Sequence, residues 1–399
     1  MKLTKLSLAA IMLAGLSTSS FAADNLSDAF KNGKISGALQ AYYFNKDNGT
    51  SDADILTGGI DLSYVTADFY GLSVGVTFQG TYSPWVDNDA ETMFKGDMWG
   101  NGAQLSEGYL KYDNYGAFAK IGRQYISTPI VSGSGSRVTK ESFEAYLAGY
   151  NGVEGLTVLG GYITRFQGRT DGHGDIGGFE KAGVSYGGLS GAFDGAYTIL
   201  AAYQNEMFSV NGQYLLLQDV INSKVVNKSD VDVMYIDGTF KIPMDSMALA
   251  ISAQYGASNE DEVTVHNSGN VMGTKVAFNM GGLYSHIAYT MNDDDEKTIA
   301  GLGNGADWSY AGGLIYGNDY GKGVDTAGVK VGYKMGEFGV AALYSDYAGT
   351  ANYNTIGLEG KYDVGGALKG LNLLAQFDAK NDSDGPDQNQ FRFKANYKF

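Results

Sequence analysis

The sequence predicts an all-β fold: a transmembrane antiparallel β-barrel of about 18 strands whose third external loop folds inward. Three observations carry that prediction. Segments of about ten residues alternate apolar and polar side chains with period two. Short turns and long polar loops alternate along the chain. A secretory signal opens the chain, and no later stretch is long and apolar enough for a transmembrane helix.

Composition points the same way. Among 399 residues there are 58 glycines and four prolines, with 29 tyrosines and 19 phenylalanines, the balance of a β protein with many tight turns. Without cysteine there are no disulfides and no thiol chemistry. A formal charge of −16 argues against a nucleic-acid partner, which needs a basic face.

Residues 1–22 read as a signal peptide. Lys2 and Lys5 form its positive start, Leu6 to Leu16 its apolar stretch, and Ser20-Phe21-Ala22 its small-residue cleavage site. The mature chain then starts at Ala23. Residues 23–33 form a short periplasmic lead-in, helix-like over DNLSDAFKN and closed by Gly33. Residues 34–399 form one transmembrane barrel domain.

Its last strand is the clearest. Phe391, Phe393, Ala395, Tyr397 and Phe399 share one face, and Gln390, Arg392, Lys394, Asn396 and Lys398 the other. The stretch before it repeats this, with Leu371, Leu373, Ala375 and Phe377 opposite Asn372, Gln376, Asp378 and Lys380. Ala327 to Met335 is a third case, placing Lys330 and Lys334 on the polar face.

Short turns are expected at Tyr70-Gly71, Asp113–Gly116, Asn151–Gly155, Asn205-Glu206, Ile242–Ser246, Gly281-Gly282, Gly336-Glu337 and Gly365–Gly370. Long loops are expected at 45–54, 83–102, 125–140, 167–192, 220–228, 257–269, 292–324 and 381–388, with a shorter one near Gly349. Eight turns and nine loops imply eighteen strands with both termini on the turn side, the asymmetry of a bacterial barrel.

Four of the five arginines (Arg123, Arg137, Arg165 and Arg169) lie between Leu105 and Arg169, while Arg392 stands far off in the last strand. So acidic a chain that gathers its arginines around one loop is placing a positive field there. The loop 125–140, with Arg137 and Lys140, is therefore expected to narrow the lumen, with Arg123, Glu144, Arg165 and Arg169 completing a constriction. Solvated loop charges pairing with Glu141, Glu144 and Asp171 are the plainer alternative. Parity conflicts at Arg123, which shares a face with Ala119 and Ile121 and opposes Lys120; a bulge at Gly122 is expected to resolve this. Glu107, Lys111, Lys330, Lys334 and Arg392 are candidate lumen residues.

LSEGYLKYDNYGAFAKIGRQ (Leu105 to Gln124), the following TP, a Ser/Gly run, SR and ESFEAYLAGY resemble the OprD family of outer-membrane porins. The lead-in DNLSDAFKNGKISGALQAYYF is similar to the amino terminus of its campylobacter-type branch. The resemblance is sharpest over the first 170 residues or so. It implies an outer-membrane barrel of eighteen strands, a third loop at the narrowing and a basic wall guiding small carboxylates. It also implies contact with membrane lipid and lipopolysaccharide and a terminal signal in Tyr397 and Phe399 for the barrel assembly machinery, and it leaves open whether the barrel is a monomer or a homotrimer. One departure is that arginines are sparse outside the cluster; Lys111, Lys120, Lys275, Lys330 and Lys334 offer point charges without the bidentate fork.

No cofactor is expected. His173, His266 and His286 lack metal-ligand spacing, and the acidic runs Asp293–Glu296 and Asp382–Asp387 lack a complete calcium-loop pattern. Gly133 to Ser136 is not a phosphate loop, and no nucleophile elbow is present. Trp85, Trp99 and Trp308 fall in long loops without an assigned role. Passive diffusion of small hydrophilic solutes or ions is the expected function. The alternatives are a general, weakly cation-selective porin, or an adhesin or enzyme that uses the barrel as a scaffold, with 292–324 as the adhesive loop.

Overall fold

The computed structural model describes residues 23–184, 190–222, 228–260 and 267–399; the expected signal segment and His266 lie outside the described residues. Eighteen strands form one closed wall. The first seven are β1 (Lys34–Asp47), β2 (Asp52–Val65), β3 (Leu72–Trp85), β4 (Gly100–Asn114), β5 (Ala117–Gln124), β6 (Ser142–Tyr150) and β7 (Leu156–Gln167). Next come β8 (Gly195–Gln204), β9 (Phe208–Asn222), β10 (Ser229–Met244), β11 (Met247–Glu260), β12 (Asn270–Met280) and β13 (Leu283–Asn292). The last are β14 (Val324–Met335), β15 (Phe338–Gly349), β16 (Tyr353–Asp363), β17 (Leu371–Asp382) and β18 (Gln388–Lys398).

Each strand pairs antiparallel with the next, and β1 pairs with β18, so the sheet has no free edge. All eight short turns and nine longer connections fall where expected, although strands run further into several loops; Trp85, for example, ends β3. The turn between β4 and β5 shows why it is tight. Gly116 sits at φ +79°, and a Cβ there would collide with the backbone of Gly152 in the neighbouring turn.

Period two sorts the side chains onto two faces. Phe391 and Phe393 are exposed on the outside while Arg392 between them is buried in the lumen. On β14, Val329, Val331 and Tyr333 face outward and Lys330 inward. Outward aromatics mark the short-turn end (Tyr112, Tyr150, Phe240, Tyr333, Phe338, Tyr362), and others, such as Tyr197, Tyr289 and Tyr344, lie toward the long loops. That outer surface is the apolar band between girdles that a bilayer covers.

The lead-in docks beneath the wall. A helix over Leu26–Lys31 is capped by Asn25, whose side chain accepts from the Asp28 amide, and the Ala67 amide donates to the Ala29 carbonyl at 2.9 Å. At the other terminus Phe399 exchanges both backbone hydrogen bonds with Gly37, at 2.9 and 3.1 Å.

Three long loops turn inward. The third, 125–141, crosses the lumen: the Ile130 amide donates to Gln213 on β9 at 3.1 Å, and the Gln213 amide donates to Thr128 at 2.8 Å. The seventh, 293–323, expected outside, also lies in the lumen. It runs beside the third, with Ser132 N donating to Leu302 O and Leu302 N to Ile130 O, both at 2.9 Å. It is anchored on the opposite wall by Ser345 Oγ donating to Ala311 O at 2.7 Å and Ile315 N donating to Asp378 at 2.7 Å. Between these loops and the inner wall lies an apolar core that includes Ile130, Val131, Leu302, Phe143, Val233 and Trp308. Burial of this core explains the inward turn: a loop carrying Ile130, Val131, Ile299 and Leu302 removes them from water only against another surface. The second loop carries a helix, Asn88–Phe94, whose Ala90 and Phe94 pack on Tyr42, Phe44 and Ile55 of β1 and β2.

Candidate functional site: the lumen constriction

The constriction is built around one carboxylate and one ring. Asp97, from the second loop, lies 2.5 Å from Arg137 of the third, 2.8 Å from Arg169 of the fourth and 3.2 Å from Lys46 at the end of β1. Burial alone pushes the Asp97 carboxyl up, but Arg137, Lys46 and Arg169 outweigh it and hold it well below the usual carboxylate range. Phe44 lies in this nest: Arg392, Lys46 and Arg137 stand 4.4, 4.8 and 5.1 Å from its ring centroid.

Glu141 fastens the loops to each other. Its carboxylate accepts from Ser134 N at 2.8 Å and from both the backbone and side-chain amides of Asn304 in the seventh loop, and it lies 3.4 Å from Arg169. Lys140 reaches the wall instead, 2.8 Å from Asp61 on β2, while its backbone exchanges hydrogen bonds with Gln79 at 2.8 and 2.9 Å.

Because Asp97 has a lowered folded pKa, its contribution is complete above its ordinary value and is lost only as pH falls through the lowered one. The Asp97 clasp should therefore stay closed from about pH 7 to about pH 4, with proteolytic protection of the second and third loops unchanged. An opening transition inside that window contradicts the clasp.

The expected site residues divide. Arg137, Lys140 and Arg169 come together at the narrowing, and Arg392 joins them, since Phe44 and Arg392 are direct cross-strand partners where β1 closes on β18. Glu107 faces the lumen, 3.2 Å from Lys120 and accepting from Thr77 at 2.8 Å. Lys111 is buried inward and pairs with Asp113 at 3.0 Å. Lys330 faces inward opposite His286, and Lys334 lies exposed near the short-turn mouth, 4.0 Å from Asp363.

Arg123, Glu144 and Arg165 do not reach the lumen. No register shift interrupts β5 against β4 or β6, so Gly122, despite φ +116°, makes no bulge and Arg123 keeps the outward parity of Ile121. The bulges lie on the flanking strands, at Ser106 of β4 and Thr164 of β7. An outward arginine is tolerated because Glu144 lies 3.8 Å away, Phe179 of the fourth loop covers its guanidinium at 4.3 Å, and the Leu105 carbonyl accepts from it at 3.2 Å. The fourth loop can cover it because β5 and β6 are short: segments 174–175 and 179–180 pair with β4 and β7 above them.

Sequence reasoning missed Asp97, Lys46, Asp61, Asn304 and Lys394. Asp97 and Asn304 sit in aperiodic loops and carried no signal; Lys46 and Lys394 were legible as polar-face residues. Lys394 and Arg392 differ from the loop cations in that, among the described residues, neither is in an ion pair. Arg392 donates only to Gln390, at 3.4 Å, and Lys394 stands 5.5 Å from the Tyr42 ring. Below the loops, toward the short turns, lies a cavity of ≈ 520 Å³ lined by Asn211, Asp237, Lys275 and Tyr310 among others.

Fold and lumen together define an eighteen-stranded transmembrane barrel narrowed by its own loops. The same architecture is found in solved structures. Acinetobacter baumannii OccAB1 superposes with a TM-score of 0.78 at 15% identity, covering 96% of this chain and 99% of that one. The Pseudomonas aeruginosa outer membrane protein OpdK gives 0.77 at 15% identity, covering 93% and 99%. OccD3 (OpdP) of the same organism gives 0.77 at 13%, covering 99% and 98%. No family model and no curated protein sequence matches the chain.

Proposed function

We propose that this chain is an outer-membrane porin of the OprD type, which passes small hydrophilic solutes by passive diffusion and favours small carboxylate-bearing ones. One observation carries the preference: Arg392 and Lys394 lie on the lumen face and, among the described residues, form no ion pair, whereas Arg137 and Arg169 are committed to Asp97 and Glu141. A guanidinium with free donors suits a planar carboxylate, and basic groups at a narrowing set selectivity even in an acidic chain.

Reversal potential in a planar bilayer under a salt gradient tests this, together with swelling of liposomes in small carboxylates and in neutral solutes of equal size. Channels selective for anions, with faster carboxylate entry, are expected. Cation selectivity would instead favour the general porin reading, supported by the lumen carboxylates Asp61, Glu107 and Asp237. The absence of channels from folded protein ends the porin reading. The adhesin reading loses its loop, since 298–317 is engaged in the lumen; trimming it should widen the pore.

Assembly is part of the proposal. Tyr397 and Phe399 end β18 beside the closing strand β1, where a terminal aromatic signal would be read during insertion. Deleting Phe399 should lower the amount of heat-modifiable, folded barrel in outer membranes at equal synthesis. Unchanged amounts would remove the signal from this residue.

A further inference from the structure

Arg165, expected in the lumen, projects from the outside of the wall near its upper rim, and what surrounds it there has no part in the pore. Counting from the short turn at Gly155, Arg165 is the tenth residue of β7, and a strand crosses a bilayer in about 9–11 residues. Just below it the outward tyrosines Tyr146, Tyr162 and Tyr197 form a cross-strand row, with the rings of Tyr162 and Tyr197 4.6 Å apart. Aromatic rows of this kind sit at the boundary between hydrocarbon and head groups. Arg165 stands one step above that boundary, about 7 Å along the strand.

Two lysines lie on the same rim. Phe166 pairs with Glu180 and Gln167 with Phe179, and Lys181 follows directly, its carbonyl accepting from Phe193 N at 2.8 Å. Lys181 and Lys228 both reach Asp194, at 3.3 and 2.9 Å, and Lys228 also lies 3.9 Å from Asp219. Glu144 is the cross-strand partner of Arg165, but its carboxylate accepts from Thr164 at 3.2 Å and lies 3.8 Å from Arg123. Lys181 and Lys228 thus share Asp194, Glu144 turns to Arg123, and Arg165 itself makes no ion pair and no side-chain hydrogen bond among the described residues.

We propose that Arg165, with Lys181 and Lys228, binds a phosphate on the head group of an outer-leaflet glycolipid, the phosphorylated glucosamine of lipopolysaccharide. An exposed guanidinium at head-group depth, with free donors and two lysines on the same rim, fits a phosphate through charge-assisted hydrogen bonds. The acyl chains of such a lipid would lie over the Tyr162–Tyr197 row and Ile199 below. This site rests on the outer-membrane placement but not on transport, so it can fail while the pore stands.

The test uses the full mature chain, folded in detergent and checked by heat-modifiable migration. It is titrated with bisphosphorylated lipid A, with the same lipid stripped of phosphate, and with inorganic phosphate, and bound lipid is read by native mass spectrometry. Binding of the bisphosphorylated form should weaken about tenfold in Arg165→Ala and less in Arg165→Lys, as expected for loss of a charge-assisted hydrogen bond. Reversal potential should not change. Equal binding of the dephosphorylated lipid would show contact through acyl chains alone. Competition by inorganic phosphate at similar concentration would show a free-anion site. Unchanged binding in Arg165→Ala would remove the residue from any site. Each of these three outcomes overturns the proposal.

Discussion

Replacing Asp97 with alanine is expected to loosen the constriction, raising single-channel conductance and its noise. Asp97 touches Lys46, Arg137 and Arg169 together, and so it ties β1 to the third and fourth loops. Its removal takes the shared carboxylate from among three cations in a largely buried nest, with Glu141 still beside Arg169. Breaking a buried pair in this way costs about 3–5 kcal/mol; with the Asp97 side chain 14% exposed, the lower end of that range applies. A loss of that size turns a rarely visited open arrangement of the loops into a common one. The barrel wall should persist, because its ladder of backbone pairs does not involve the clasp. Asp97→Asn, which keeps an acceptor without the charge, should fall between. Planar-bilayer recordings with limited proteolysis of the loops check this, and a conductance histogram identical to the unmodified protein would show that the apolar core alone holds the loops.

Removing Arg392 and Lys394 together should shift selectivity toward cations, with about a tenfold drop in the permeability of small carboxylates relative to cations of similar size. At an effective dielectric of about 20, unit charges about 8 Å apart interact by ~2 kcal/mol, and each ~1.4 kcal/mol is tenfold. The matched control removes a neutral pair. Asp61→Ala with Lys140→Ala takes away one charge of each sign from the same wall and should leave the reversal potential almost unmoved. If this control shifts it as far as the Arg392→Ala, Lys394→Ala variant does, the unpaired cations do not set the preference.

These predictions differ from those the sequence alone suggests, and the difference has a physical source. The wall was legible because a strand repeats every two residues: β18 and β14 could be sorted into faces from composition alone, and turn chemistry placed every reversal. Loops have no such period. Arg137 and Arg165 looked equivalent, both near the third loop, yet one is clasped by Asp97 in the lumen and the other stands outside. The bulge was misplaced for a related reason. Parity showed that Arg123 conflicted with a lipid face, but not that Glu144 and Phe179 would shield it where it was.

By itself, then, the sequence determined the barrel: the number of strands, their direction, the alternation of short and long connections, and which side chains on each strand share a face. Those properties follow from local periodicity and from the rule that backbone polar groups in a membrane must pair within a closed wall. Tertiary structure decided the constriction. Closure of β1 on β18 set Arg392, the last arginine of the chain, against Phe44 near its start. Packing of the third loop on the seventh buried an apolar core that neither could bury alone, and so brought Glu141 to Asn304. Contacts between residues so far apart in the chain depend on how the wall closes and on which loops find a partner surface, and no local pattern records either.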